Sequence, residues 1–207
     1  PGVVVCATTS GRAEPALERR ADVLALEGAA KPDMASLTLG SLNFRDSASV
    51  TAPDTLRALA TTMRAAGIRP ELEIFDSGMA YLAHDLLARG VLAAPLYANL
   101  ILGSANTAPA TAASLAQLVA GLPAGTCWAA AGIGAFALPM TGIAVFMGGH
   151  ARTGLEDSPR LYHGSPQPAT NAQLVERVVR IGRLAGREPA TAAQTRALLG
   201  LAPAFTP

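Results

Sequence analysis

The chain has 207 residues, of which 50% are hydrophobic and 15% are charged, a balance typical of a folded globular protein. Its formal net charge is +1 and 4% of its residues are aromatic, so no basic tract or run of stacking side chains points to nucleic acid. Glycine, proline or polar residues interrupt each apolar stretch before it reaches membrane-spanning length, and we expect no signal peptide.

Short apolar segments alternate with amphipathic ones along the chain, which predicts six strand–helix units and a parallel sheet. The predicted strands cover residues 3–7, 34–39, 71–75, 97–102, 127–131 and 150–154. The predicted helices cover residues 15–26, 54–66, 78–89, 111–120, 139–147 and 171–184. Asp76 and Ser77 are expected to cap the third helix, and Gly90 to end it.

Unusual polar residues follow the predicted strands, whereas the return loops hold ordinary turn residues. These polar residues are Thr8, Thr9, Ser36, Thr38, Asn43, Glu73, Asp76, Arg152, Glu156 and Asp157. This asymmetry is expected of an α/β barrel, in which the chemistry gathers at the carboxyl ends of the strands. An open, doubly wound sheet is the alternative, although no GxGxxG or Walker motif is present.

The segment GGHARTGLED, residues 148–157, places a cation and two acids within six positions. If it is a strand, His150, Arg152, Gly154 and Glu156 share one face. Such a group at the end of an apolar strand suits anion binding, metal ligation or proton transfer. The alternative is a surface ion pair that closes a turn.

Cys6 and Cys127 both lie in apolar, strand-like runs. We therefore expect buried thiols rather than a disulfide, which favours a reducing compartment and a cytoplasmic location. We expect His84 and His163 to face solvent and His150 to be structural.

Five segments resemble one enzyme family. They are TTSG (8–11), KPDMASLTLGSLNF (31–44), RPELEIFDSGM (69–79), GGHARTGLEDS (148–158) and the tail from Asn171 through Leu201. Together they are similar to the β-keto acid cleavage enzymes, whose type member is 3-keto-5-aminohexanoate cleavage enzyme.

The resemblance implies a (β/α)8 TIM barrel, with residues 1–207 forming a single barrel domain that lacks the first two strand–helix units. In the family, the second missing strand carries a His-x-His pair that binds zinc or another divalent metal. None of His84, His150 and His163 lies in such a pair. We therefore expect an N-terminal segment, or a partner, to cover two open sheet edges.

The resemblance also implies an activity, the condensation of a β-keto acid with acetyl-CoA to give acetoacetate and a new acyl-CoA. The resemblance further implies a homotetramer, and a metal ion that polarises the keto group. By position, the resemblance implies that Asp157 is the general base and that Arg152 and Glu73 are also catalytic. It implies that Glu156 is a metal ligand. The substrate-binding residues that it implies are Thr8, Ser36 and Asn43.

Two loops depart from the family pattern where the CoA tail would pass. Ala135 stands where the family usually has arginine, and residues 103–110 contain less glycine. Because the metal's histidine pair is missing, a non-catalytic or incomplete barrel that serves as a binding protein stays open as an alternative function. A metal aldolase or hydrolase is a third. The residues do not select one β-keto acid.

Overall fold

A computed structural model describes residues 2–203. The predicted domain of residues 1–207 therefore includes Pro1 and residues 204–207, which lie outside the described residues. The strands are β1 (Cys6–Ala7), β2 (Met34–Thr38), β3 (Leu42–Asn43), β4 (Ala48–Ser49), β5 (Arg69–Ile74), β6 (Tyr97–Leu102), β7 (Cys127–Gly132) and β8 (His150–Ala151). The helices are α1 (Leu17–Ala21), α2 (Pro53–Ala65), α3 (Ser77–Ala88), α4 (Ala112–Ala120), α5 (Ala137–Phe146), α6 (Asn171–Leu184) and α7 (Ala192–Leu199).

Six strands form one parallel sheet in the order β1-β2-β5-β6-β7-β8, while β3 and β4 form a separate antiparallel pair. The sheet curls into part of a barrel with helices outside it: α2 packs on β2 and β5, and α5 packs on β7 and β8. The predicted α/β fold with a parallel sheet is confirmed. The sheet is curled as part of a barrel, which the open, doubly wound alternative does not describe.

Alternation along each strand separates the core from the concave face. In β2, Ala35 and Leu37 are fully buried, as is Leu72 in β5 (1% exposed). Their neighbours Ser36 and Glu73 point the other way, because successive strand residues face opposite sides. Burial of the apolar set against the helices therefore presents polar side chains on the inner face.

Several predicted elements agree closely with the structure. Strand β6 and helix α6 have the predicted bounds. The carboxylate of Asp76 accepts a hydrogen bond from the Met79 N–H at 2.8 Å and so caps α3, as predicted. Gly90 ends that helix in a left-handed conformation, with φ of 66°.

The ends of the chain and of the sheet depart from prediction. Strand β1 holds only Cys6–Ala7, and Val3 is 70% exposed. Strand β8 ends at Ala151, so the predicted strand through Gly154 is wrong. Within residues 2–203, β1 and β8 are the two edge strands of the sheet, and each pairs with one neighbour. Edge strands in natural proteins are often very short, because a long unpaired edge can pair with other chains.

The helix predicted over residues 15–26 is shorter, since α1 covers Leu17–Ala21 and a 3-10 turn covers Asp22–Ala25. The N-cap residue of α1, Ala16, makes no side-chain hydrogen bond, so the first backbone N–H groups of this helix are not capped by its side chain. The β3–β4 pair and helix α7 were not predicted. Within residues 2–203, no helix combines the length and hydropathy that a membrane span requires.

The prediction of two buried thiols is wrong, although both cysteines are free. Cys6 is exposed because it lies on the edge strand β1, and Cys127 is half-buried at the start of β7. His84 and His163 are exposed, as predicted.

Candidate active site

A cavity of about 570 Å³ opens on the inner face of the sheet towards the carboxyl ends of the strands. Six of the seven predicted site residues line it: Thr8, Ser36, Glu73, Arg152, Glu156 and Asp157. Asn43 does not: it is exposed on β3, and its neighbours Leu42 and Phe44 line the cavity in its place. The strand-end pattern therefore brings together residues from four separate segments of the chain.

Arg152 is the centre of the polar contacts in this cavity. Its Nε donates to Asp157 Oδ2 at 3.0 Å, and its Nη2 donates to Asp157 Oδ1 at 3.2 Å and to Glu156 Oε2 at 2.7 Å. Its Nη1 lies 4.0 Å from Glu73 Oε1. One guanidinium thus holds three carboxylates in a fixed arrangement.

The loops after β7 and β8 position this group together. The Arg152 N–H donates to the Ala130 carbonyl at 3.0 Å, which carries the chain one residue beyond β8. A turn follows, in which the Asp157 N–H donates to the Gly154 carbonyl at 3.1 Å. The Asp157 carbonyl then accepts from the Gly134 N–H at 2.7 Å, which ties the two loops to each other.

The structure corrects two expectations for this segment. Glu156 does not share a strand face with His150, because the turn at Gly154 returns it to Arg152. Asp157 is not an unpaired carboxylate: its residue is 4% exposed and both of its oxygens contact Arg152. A carboxylate this buried needs a cation to offset its lost hydration. The surface-turn alternative describes only Glu156, whose side chain is 78% exposed.

Burial and the charges of the cluster act in opposite directions on the pKa values of Asp157, Glu73 and Arg152. Burial raises the pKa of Asp157, while the Arg152 hydrogen bond and charge oppose that rise. It also raises the pKa of Glu73, against the Thr38 hydrogen bond and the Arg152 charge. Burial alone would lower the pKa of Arg152, but Asp157, Glu156 and Glu73 raise it above its ordinary value, so this side chain stays cationic.

Glu73 is held from two sides. The Thr38 hydroxyl donates to Glu73 Oε2 at 2.6 Å, and Arg152 approaches the other oxygen. The cationic neighbour of Glu73 therefore comes from the carboxyl end of β8. Thr38 is 5% exposed and acts as a fixed donor.

Thr8 and Ser36 both accept hydrogen bonds from backbone amides. The Ser10 N–H donates to Thr8 Oγ1 at 3.1 Å, and the Thr9 N–H donates to Ser36 Oγ at 3.1 Å. Thr9 also donates from its hydroxyl to the Ser36 carbonyl at 2.6 Å. Each cavity hydroxyl therefore keeps its own proton for donation to a bound group.

Glu71 and Asn99 belong to the same inner face and were not predicted. Burial, and then the charge of Glu73, raise the pKa of Glu71, whereas Arg152 and a hydrogen bond from Asn99 lower it. Glu71 is two residues from Glu73 on β5, so strand alternation was sufficient to find it. Asn99 is 2% exposed, and its Oδ1 has no hydrogen-bond partner among residues 2–203.

The described residues do not fit a zinc site. Within residues 2–203, no group of three or more His, Cys, Asp or Glu side chains converges closely enough to hold a metal ion. Glu156, the expected ligand, is paired with Arg152 instead. A catalytic zinc site ordinarily takes three protein ligands.

The sequence and the fold both match known proteins. The model of the beta-keto acid cleavage enzyme family matches residues 1–201. The chain is 39% identical over 205 residues to 3-oxoadipate:acetyl-CoA acetyltransferase of Cupriavidus necator, covering 97% of this chain and 70% of that protein. It is 34% identical over 171 residues to 3-keto-5-aminohexanoate cleavage enzyme of Fusobacterium nucleatum, covering 82% of this chain and 62% of that one.

The fold is also similar to a solved structure described as the apo structure of ObcA. The TM-score is 0.74 with 20% identity, over 97% of this chain and 51% of that chain. The likeness supports the partial-barrel fold alone. The chain thus spans about half to about two thirds of the length of several proteins that it matches.

The curled parallel sheet with an arginine–carboxylate cluster at its strand ends defines an α/β barrel-type enzyme. The chain belongs to the beta-keto acid cleavage enzyme family. The names of its relatives describe acetyltransferases and cleavage enzymes, which is the acyltransferase class expected from the sequence.

Proposed function

We propose that this protein cleaves a β-keto acid with acetyl-CoA. The keto acid and acetyl-CoA exchange acyl groups, so that acetoacetate and the CoA ester of the other acyl group are the two products. The observation that carries the proposal is the contact of Arg152 with Asp157, Glu156 and Glu73 inside one cavity of a chain from this family.

Arg152 is suited to the charge that develops in such a reaction. Removal of a proton next to a keto group leaves an enolate, and a fixed cation lowers the energy of that anion. The guanidinium is held by three carboxylates, which orient it before a substrate arrives. Its Nη1 points towards Glu73 across the cavity and is the least tightly paired of its nitrogens.

Asp157 is the proposed general base. Its burial raises the pKa, which makes the carboxylate a stronger proton acceptor, while the hydrogen bond and charge of Arg152 oppose that rise. Glu73 lies on the opposite side of the guanidinium and is the proposed partner that orients the substrate. The hydroxyls of Thr8 and Ser36 are proposed donors to the substrate carboxylate.

The family resemblance implies a divalent metal, usually zinc, which would act as a Lewis acid on the keto oxygen. Because the described residues do not fit such a site, we derive no step through it. We propose instead that Glu156 is at most one ligand of a site whose other ligands are absent from residues 2–203.

Acetyl-CoA is proposed as the co-substrate. The loops after β6 and β7 border the cavity through Ser104 and Ile133, so a thioester can enter between them. Ala135 lies exposed on the second loop, where the resemblance leads us to expect an arginine. Any contact with the CoA phosphates must therefore come from another part of the chain.

The assembly that performs this reaction is proposed as an eight-stranded barrel in which two further strands close the gap between β1 and β8. Phe146 and Met147 are 67% and 40% exposed at the end of the apolar helix α5, which supports the proposed homotetramer. The two free thiols are consistent with the cytoplasm.

A binding protein without catalysis is the competing function, because the described residues do not fit the metal. One experiment separates the two. The purified full-length protein is incubated with 3-oxoadipate and acetyl-CoA, and acetoacetate and the new acyl-CoA are measured by mass spectrometry. Stoichiometric formation of both products supports the enzyme, and ligand binding without either product supports the competitor.

A further inference from the structure

Two arginines line the cavity away from the Arg152 cluster. Arg12 lies in the loop after β1 and Arg45 in the turn between β3 and β4, and both are exposed. Neither guanidinium forms an ion pair with any side chain among residues 2–203. The neighbouring acids Glu14 and Asp46 do not line the cavity.

Arg12 is held in place by an aromatic ring. Its guanidinium carbon lies 4.2 Å from the centre of the Phe44 ring, a cation–π distance. Phe44 is itself fixed, because its N–H donates to the Ser47 carbonyl at 2.7 Å and closes the β3–β4 turn. A cation–π contact uses the positive charge of the guanidinium and does not require its N–H donors.

Arg20 joins the loop that carries Arg12 to the segment that follows the β3–β4 hairpin. It is 4% exposed, and its Nε donates to the Thr9 carbonyl at 2.8 Å. Its two terminal nitrogens donate to the Val50 carbonyl and to Thr51 Oγ1, each at 3.1 Å. The loop after β1 and the segment after β4 are therefore fastened to one buried side chain, which fixes their spacing.

The charges of the cavity are divided between its two ends. The inner end has four carboxylates, Glu71, Glu73, Glu156 and Asp157, around the single guanidinium of Arg152. The rim has two guanidinium groups with no carboxylate partner among residues 2–203. A further anionic group on a ligand, beyond the one that Arg152 stabilises, is thus disfavoured near the inner carboxylates and favoured at the rim.

We propose that Arg12 and Arg45 form an anion subsite for the end of a ligand that lies remote from the reaction centre. The group bound is a carboxylate or a phosphate, supplied either by a β-keto acid with a second carboxylate or by the CoA portion of the thioester. This inference rests on the proposed function and adds to it the charge of the ligand that the rim selects.

The test uses the full-length protein and three variants: Arg12→Gln, Arg45→Gln and the control Arg57→Gln. Arg57 is an exposed arginine of α2 that pairs with Asp54 and does not line the cavity. All three variants remove one positive charge and keep a polar side chain. Circular dichroism and melting temperature are compared first, and no change is expected because all three side chains are at the surface.

Four substrate combinations locate the anion. The keto acid is 3-oxoadipate, with a distal carboxylate, or 3-oxohexanoate, without one. The thioester is acetyl-CoA or S-acetylpantetheine, which has no phosphate. Loss of a charge-assisted hydrogen bond is expected to lower kcat/KM about tenfold for each rim variant.

A loss confined to 3-oxoadipate identifies a keto-acid carboxylate at the rim. A loss confined to acetyl-CoA, with either keto acid, identifies a CoA phosphate. Either result supports the subsite. If kcat/KM of the rim variants equals that of Arg57→Gln, or falls by the same factor in all four combinations, the proposed anion subsite is overturned.

Direct binding separates this inference from the proposed reaction. Calorimetric titration with adipate and with CoA needs no turnover. If the wild type forms no product, the proposed reaction fails, whereas weaker binding of either ligand by Arg12→Gln and Arg45→Gln still supports the subsite. Unchanged binding of both ligands overturns it.

Discussion

Arg152 Nη1 and Glu73 Oε1 lie 4.0 Å apart, although β8 and β5 are separated by two other strands. Through the sheet register Glu73 is level with His150, two residues before Arg152. Three strand spacings in a flat sheet amount to about 14 Å, so the side chains meet because the sheet curls. The curvature therefore converts distant strand ends into one site.

The first prediction concerns the pH dependence of turnover. Burial raises the pKa of Glu73 above its ordinary value of 4.5, and the Thr38 hydroxyl opposes that rise. If the ionised form is the active one, kcat/KM falls as the pH drops through the raised pKa. Thr38→Val removes the donor and is expected to move this acid limb to higher pH.

Thr62→Val is the matched control, because the Thr62 hydroxyl donates to the Ala58 carbonyl on the exposed face of α2. It is expected to leave the pH profile unchanged. An acid limb at the same pH in Thr38→Val and in the wild type would count against the role of Glu73.

Many helix boundaries follow from residues that start or stop helices in the sequence. Helices α2, α3 and α4 begin at a proline or a capping side chain and end near Gly67, Gly90 or Gly121, so their bounds were predictable within a residue or two. Helix α7 carried a signal that was overlooked, since Thr191 and Gln194 form a capping box.

Site residues were predictable where their position along a strand determines which end of the sheet they occupy. Residues at or near the carboxyl ends of strands, such as Ser36, Glu73 and Arg152, converge by the geometry of parallel sheets. Asn43 lies outside the cavity because its side chain alternates with those of Leu42 and Phe44, which line it. Arg12 was not predictable either, because a loop arginine has no sequence signature that separates a cavity rim from open surface.

The second prediction concerns stability. Arg196 on α7 donates to Asp33 Oδ1 at 2.8 Å and to Oδ2 at 2.9 Å. Burial alone would raise the pKa of Asp33, but the hydrogen bonds from Arg196 and the Val5 N–H lower it. Arg196→Leu breaks this partly buried pair and is expected to lower the free energy of unfolding by about 2–4 kcal/mol.

The sign of the pH effect follows from the lowered pKa. The folded state binds the Asp33 proton less well than the unfolded state, so this stabilisation is present above the ordinary value of 3.8 and is lost as the pH falls through the lowered pKa. Urea unfolding of Arg196→Leu and of the exposed control Arg180→Leu measures both effects. Equal losses in the two variants would contradict the account.

The third prediction concerns the support beneath β8. A Cβ atom at Gly149 would lie 2.2 Å from ring atoms of Trp128, whereas one at Gly142 in α5 would meet nothing within 4 Å. Gly149→Ala is expected to cost about 1–3 kcal/mol in unfolding free energy, and Gly142→Ala to be neutral or stabilising. Thermal unfolding of both variants checks this, and a fully stable Gly149→Ala would show that the Trp128 contact is not tight.

The fourth prediction concerns metal. The 207-residue chain, dialysed after exposure to zinc, is expected to hold well below one zinc ion per molecule, because Glu156 is paired with Arg152 and no other ligand set converges among the described residues. Elemental analysis measures the content. Stoichiometric zinc that disappears in Glu156→Gln, or on replacement of His84, His150 or His163, would show that the ligand assignment is wrong.

The central claim is that the Arg152 cluster performs the chemistry, and Asp157→Asn tests it most directly. The substitution keeps the shape of the side chain but removes the proposed base, so turnover of a β-keto acid with acetyl-CoA should fall by about a hundredfold or more. Asp54→Asn, on the exposed surface of α2, serves as the control and should keep wild-type activity.

The measurement is the steady-state rate of acetoacetate formation by the full-length protein, with folding of each variant verified by circular dichroism. The account predicts near-complete loss in Asp157→Asn and none in Asp54→Asn. A wild-type rate in a folded Asp157→Asn variant would contradict it.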